Sequence, residues 1–214
     1  MKIIFLIYIL VTVKAIIPEN DTRVLSAYAV NNLQDTVIRT IPKNKKSAEF
    51  QKALRNFENI IGVSRLDNGA DSIEVRIYHG DPASDSFQVF RLTNIKSTWR
   101  MNFYTVYFKG NEKNDSITAQ KIDTWSRVPK SGWTKFSKLF LTDSDVKNLR
   151  DYSELKGYAE PFGGGSTVVE IATQTQYKIY SYSLPGSFQS EFPEAKKMVG
   201  IMKLLANEFM IKWG

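Results

Sequence analysis

Between Ser72 and Trp125 apolar and polar residues alternate in runs separated by only a few turn-forming residues, and this spacing dictates the topology. Ile73, Val75 and Ile77 alternate with Glu74, Arg76 and Tyr78. That is the two-residue period of a half-buried strand with one wet face. "HGDPASD" then supplies turn formers, and "SFQVFRLTN" reads as a second strand. "STWRMNFYTVYFKG" is a third and, after the turn "NEKND", "SITAQKIDTWSRV" a fourth. Connections this short force antiparallel neighbours, because a parallel crossover needs about a dozen residues or more. The expected frame is a meander.

Two stretches change to a helical period. Ser47 is placed to cap a helix in which Phe50, Ala53, Leu54, Phe57, Ile60 and Ile61 recur every three or four residues, and Gly62 stands where a helix would end. Near the end of the chain Ala195, Met198, Val199, Met202, Leu205, Ala206 and Phe209 form a second stripe, with Pro193 in the first turn. Between them "SGWTKFSKLF" suits a short helix packing Trp133, Phe136 and Phe140. Thr142 with Asp145 then reads as a capping box ahead of Val146 and Leu149. The fold class expected is α+β: an antiparallel sheet of about five to seven strands with two main helices packed on one face. A single domain is expected over residues 47–214, preceded by a polar segment at 16–46.

The opening "MKIIFLIYILVTVKA" has the parts of a secretory signal peptide: Lys2, an apolar run from Ile3 to Val13, and a Val13-Lys14-Ala15 cleavage site. The run is too short for a membrane span, which needs about 20 residues. Cleavage after Ala15 takes the 214 residues to 199 and, with Lys2 and Lys14 gone, the net charge of +7 to +5. The expected product is periplasmic or extracellular, not an integral membrane protein, and export removes the usual opportunity to meet nucleic acid. With no cysteine in the chain, a disulfide framework, thiolate metal sites and thiol nucleophiles are excluded. The basic residues are dispersed, with Lys43, Lys45 and Lys46 the one tight cluster, which reads as a solvated linker. Asn20 and Asn114 open N-glycosylation triplets that matter only in a eukaryotic secretory pathway.

The stretch that most resembles a catalytic motif is "EPFGGGSTVVEIATQTQYKIYSYSLPG" at residues 160–186. A phosphate loop needs lysine and a helix after its glycines. Here Gly163, Gly164, Gly165, Ser166 and Thr167 contain no lysine and lead into β-branched, strand-forming sequence. The dinucleotide fingerprint fails on the same flank, and the serine-hydrolase elbow lacks its second glycine. The glycines are therefore expected to serve a turn with positive φ, and "TVVEIAT" and "QYKIYSY" to form a hairpin. His79 is the only histidine, so a multi-histidine metal site is excluded and a Ser-His-Asp triad would have to use it. Its place beside Gly80, Asp81 and Pro82 suits a strand-end residue with a local hydrogen bond. Ser144-x-x-Lys147 and Ser153-x-x-Lys156 both match a penicillin-interacting spacing without its companion motifs. Asp143 and Asp145 lack the glycine and glutamate of a calcium loop. Glu74, Asp123, Glu160 and Glu170 are available should two carboxylates meet in space for glycoside chemistry.

Aromatic residues concentrate in the strands. In "WRMNFYTVYF" both faces are apolar, which points to a strand covered on both sides or to an exposed patch. Core packing is the reading favoured. The binding alternative is an aromatic face carrying Tyr104, Tyr180 and Tyr182, suited to an envelope glycan or a protein partner. The segments "GWTKFSKLF", "TVVEIATQTQYKIYSYSLPG" and "EAKKMVGIMKLLANEF" resemble small exported proteins of unknown function from Gram-negative bacteria. The resemblance implies export and a late strand followed by a terminal helix, and it brings no activity with it. The function expected is an exported binding or structural module of the cell envelope, with no cofactor and no metal ligands. The alternative is an envelope hydrolase acting on glycan or peptide through carboxylates that sequence does not pair.

Overall fold

The computed structural model describes residues 37–81, 84–111, 116–159 and 165–214. Its frame is one seven-stranded sheet in the order β1-β7-β6-β2-β3-β4-β5. The strands are β1 (Ile38–Thr40), β2 (Ile73–Gly80), β3 (Ser86–Ile95), β4 (Thr98–Asn111), β5 (Ser116–Trp125), β6 (Ser166–Thr173) and β7 (Gln176–Ser183). Strands β2 to β5 form the antiparallel meander that their short connections require. The chain then returns so that β6 pairs antiparallel with β2, and β6 and β7 form the late hairpin. Among the described residues four α-helices complete the α+β fold: α1 (Ala48–Ile60), α2 (Trp133–Lys138), α3 (Pro185–Phe188) and α4 (Pro193–Phe209).

Local chemistry explains the main boundaries. The Ser47 hydroxyl accepts from the Phe50 amide at 3.2 Å, capping α1, and Gly62 at φ 69° lets the chain leave it in a left-handed step. The β3–β4 hairpin closes through Lys96 and Ser97, both with positive φ (49° and 64°), a primed turn that matches the twist of the strands. Pro193 opens α4, where its missing N–H costs nothing.

The two main helices do not share a face. Val75, Ile77, Phe90, Leu92, Phe103, Val169, Tyr180 and Tyr182 point to one side of the sheet and pack with Met198, Ile201, Leu205 and Phe209 of α4. Tyr78, Val89, Tyr104, Val106, Tyr177 and Ile179 point to the other, against Leu54 and Phe57 of α1. Each large apolar side chain buried this way contributes roughly 1.5–3 kcal/mol. Residue alternation within β2 makes the division plain, since Ile77 lies under α4 while the neighbouring Arg76 reaches Glu58 of α1. The sheet is a filling between two helical layers, so the expected wet face of β2 is instead covered.

Two further expectations change. The polar segment at 16–46 contributes β1, which pairs parallel with β7, so the sheet extends upstream of Ser47. After α2 the chain makes a single π turn at Leu139–Asp143, and Asp145 is left-handed at φ 62°. The capping box read at Thr142 and Asp145 therefore starts no helix, although Val146 and Leu149 are buried as their apolar character demands.

Candidate functional site

The densest polar chemistry among the described residues lies beneath α1, on strands β2, β3, β6 and β7. Arg76 is fully buried. Its Nη1 donates to Glu58 Oε1 at 2.7 Å, its Nε to Glu74 Oε1 at 2.6 Å, and its Nη2 to the Ser64 carbonyl at 2.8 Å. Arg91, directly opposite Arg76 on β3, places Nε and Nη2 on the two oxygens of Glu74 at 2.7 and 3.0 Å. Glu58 also pairs with Arg55 and accepts from the Leu66 amide at 3.3 Å. At the margin Asp67 takes both forks of Arg65 at 3.1 and 2.7 Å. The planar guanidinium suits these contacts, because its fixed donors match carboxylates two at a time.

Glu170 occupies the next position across the sheet, opposite Arg76 on β6. It is fully buried, and its oxygens accept from Tyr78 Oη at 2.7 Å and Tyr177 Oη at 2.5 Å. Burial, reinforced by the neighbouring carboxylate, pushes the Tyr78 and Tyr177 hydroxyls far above the ordinary phenol range and keeps them donors. Glu58 is raised, first by burial and then by the charge of Glu170. Glu74 goes the other way: burial would raise it, but the Arg91 hydrogen bonds and the Arg76 charge hold it below the usual range. Among the described residues no buried side-chain atom of this cluster lacks a hydrogen-bond partner, and α1 with the segment 61–67 covers Arg76, Glu58 and Glu170. Chemically the cluster can clamp that layer to the sheet.

A second polar corner surrounds His79 at the end of β2. Its Nδ1 lies 3.0 Å from Thr167 Oγ1 and its Nε2 3.1 Å from the Gly214 carbonyl oxygen, with Trp213 edge-on at 5.5 Å. Burial lowers its pKa, favouring the neutral ring. The partners are distant in sequence, so the local hydrogen bond expected of a turn residue is replaced by tethers to β6 and to the tail after α4. Gln88 strengthens the same attachment, donating to the Lys212 carbonyl at 3.0 Å and accepting from the Gly214 amide at 2.9 Å. Among the described residues no serine or carboxylate side chain is hydrogen-bonded to the His79 ring, and Thr167 is fully buried. The corner fastens the tail.

The tyrosines read as an aromatic face are buried on two sides of the sheet. Tyr104 lies on the α1 side, whereas Tyr180 and Tyr182 lie on the α4 side and donate to the carbonyls of Val146 and Arg150 at 2.7 and 2.6 Å. They form no common surface. The physical reason is that an amphipathic ring can bury its body while its hydroxyl finds a carbonyl at the core's edge. Gly163, Gly164 and Glu160 fall outside the described residues, as do Ala15, Asn20 and Asn114. Gly165 is not left-handed, and its carbonyl accepts from the Leu184 amide at 2.8 Å just ahead of Ser166 on β6. The turn between the late strands falls at Gln174 and Thr175 instead.

Of the carboxylates considered for paired chemistry, Glu74 and Glu170 belong to the buried cluster, and Asp123 is on β5 paired with Lys121 at 2.9 Å. A different pair, unmarked in the sequence, meets at an open concavity of about 360 Å³ beside the start of α4. There Asp145 binds Lys197 at 2.7 Å and Glu194 binds Arg150, and each partner holds its carboxyl below the usual range. Neither is poised to donate a proton near neutral pH, as one member of a glycosidase pair must be.

No family model, curated protein or solved structure matches this chain in comparison. Among the described residues no group of three or more His, Asp or Glu could hold a metal ion, and no helix is long and apolar enough to cross a membrane.

Proposed function

We propose that the chain is an exported binding or structural module of the cell envelope, released by cleavage after Ala15 and acting through its surface. The observation that carries this reading is the disposition of the ionisable groups. Glu74, Arg76, Arg91 and Glu170 of the sheet are spent inside the fold beneath α1, and the two carboxylates that share a concavity are each held ionised by a cation. Nothing in that arrangement supplies the matched acid and base that hydrolysis of a glycan or peptide requires. The apolar run and Val13-Lys14-Ala15 at the start of the chain support the location.

Two assays test the proposal together. Cells expressing the full chain are fractionated, and the exported material is sequenced from its N-terminus; the expected first residue is Ile16 or one close to it. The purified product is then incubated with glycan strands and peptides, and no turnover above the blank is expected. Full-length protein confined to the cytosol contradicts the location. Hydrolysis that disappears in Glu194→Gln or Asp145→Asn contradicts the non-enzymatic reading.

A further inference from the structure

The two edges of the sheet are unequal. β1 is only three residues long, whereas β5 runs for ten and, among the described residues, has β4 as its sole strand neighbour. A long free edge presents unpaired amides and carbonyls to any other strand, and proteins protect such edges with charge, bulges or cover. Two protections are visible on β5. Its register with β4 slips between Tyr107 and Phe108, leaving Gln120 as an extra residue, and Lys121 stands exposed at 64% of its side-chain surface.

The charges on this edge have a symmetry that simple protection does not need. Lys121 and Asp123 flank Ile122 and point to the same side of the strand, while Ile122, 40% exposed, points to the other. When two copies of this strand are placed antiparallel with Ile122 on the two-fold axis, Lys121 falls directly opposite the partner's Asp123, and Asp123 opposite the partner's Lys121. Ile122 meets the partner's Ile122 on the other face, beside the buried Val106. Directly opposed unlike charges and a central apolar contact both favour an antiparallel pair, whereas like charges in those places disfavour it. A lone Lys would reject other basic edges; the Lys-Ile-Asp triplet also matches itself.

We infer that the β5 edge is a self-association surface whose partner is a second copy of this chain, joined antiparallel about Ile122 into a continuous two-fold sheet. The bulge at Gln120 confines the match to a short segment, so the surface buried falls below the roughly 800 Å² per partner of a standard stable interface. The dimer is accordingly a weak one, formed in the range of about 10 µM to 1 mM.

Sedimentation velocity of the whole protein over that concentration range tests the inference, with circular dichroism confirming that each variant is folded. The wild type should shift from monomer to dimer. Lys121→Glu and Asp123→Lys should each weaken association at least about tenfold, because each sets like charges opposite one another at two symmetry-related places. The charge-swapped double variant should recover it, since the pairs are restored with reversed sign. A wild type that stays monomeric at 1 mM overturns the proposal. So does a dimer indifferent to both single changes, or a double variant that stays as monomeric as either single one.

Discussion

The two faces of this sheet are built from opposite materials. Under α4 the contacts are aromatic and aliphatic, with Phe209 set against Phe90 at 5.5 Å and Phe136 at 4.9 Å. Under α1 the apolar packing of Leu54, Phe57 and Tyr78 shares its space with Arg76, Glu58, Glu74 and Glu170. The difference lies in what each face tolerates. A hydrophobic face is forgiving of a change that keeps volume, because dispersion and transfer energies are non-directional. A buried ionic face depends on each partner being present and correctly aimed, since a charge left alone in the interior costs far more than the pair contributes.

The largest expected effects fall on one residue from each face. Arg76→Met should lower stability by about 3–5 kcal/mol, because Glu58 and Glu74 then remain buried with one cation fewer. Phe209→Ala should cost a similar ~3–5 kcal/mol through the cavity it leaves. Urea unfolding reads both, and a loss below about 0.5 kcal/mol for Arg76→Met would remove the contrast. Conservative partners sharpen it: Phe209→Leu should cost less than Arg76→Lys, since lysine cannot span Glu58, Glu74 and the Ser64 carbonyl at once.

Intermediate effects come from Glu170. Glu170→Gln keeps the shape and one acceptor oxygen but sets an amide donor against one of the two tyrosine hydroxyls, for an expected cost of about 1–3 kcal/mol. Acid should act more on the buried α1 face than on the exposed pairs of Asp145 and Glu194 beside α4. Glu74 and Asp67 are depressed in the fold, so the stability they contribute is present above about pH 4–5 and is lost as pH falls through their folded values. Glu58, raised in the fold, gains relative stability earlier in the descent, as pH falls through its folded value to the ordinary carboxylate range, and so offsets part of that later loss. The net acid loss should shrink in Arg91→Met, which removes the first cause of the Glu74 depression; an unchanged pH profile in that variant would contradict this assignment.

How much of this was legible in the sequence follows from the same contrast. The stripes of α1 and α4, the meander from β2 to β5 and the β6–β7 hairpin all follow from periodicity, because apolar residues report directly on what must be buried. Charged residues do not. Glu74 and Arg76 alternating with Ile73 and Val75 look identical whether that side meets water or a helix. The usable signal was pairwise: Glu74, Arg76, Arg91 and Glu170 have compatible signs and share one side of adjacent strands once the register is drawn. β1 was hidden because three residues carry no period, and the pair at Asp145 and Glu194 because the two residues that line one concavity stand 49 positions apart.

The smallest effect belongs to the tail. His79→Gln should leave any binding unchanged and lower the melting temperature by only a few degrees, since Gln88 still holds Lys212 and Gly214. A drop of more than about 10 °C would make the His79 corner a main support of the fold and not a fastening.

The claim on which the rest depends is that the charged side of β2 is closed to water. Hydrogen exchange of arginine side chains, followed by nitrogen-edited NMR, reads it without altering the protein. Arg76 Nε–H, fully buried on Glu74, should exchange at least about a hundredfold more slowly than the Nε–H of exposed Arg100 on β4. Equal exchange rates at the two arginines would mean that water reaches the face beneath α1, and the clamp described here would not exist.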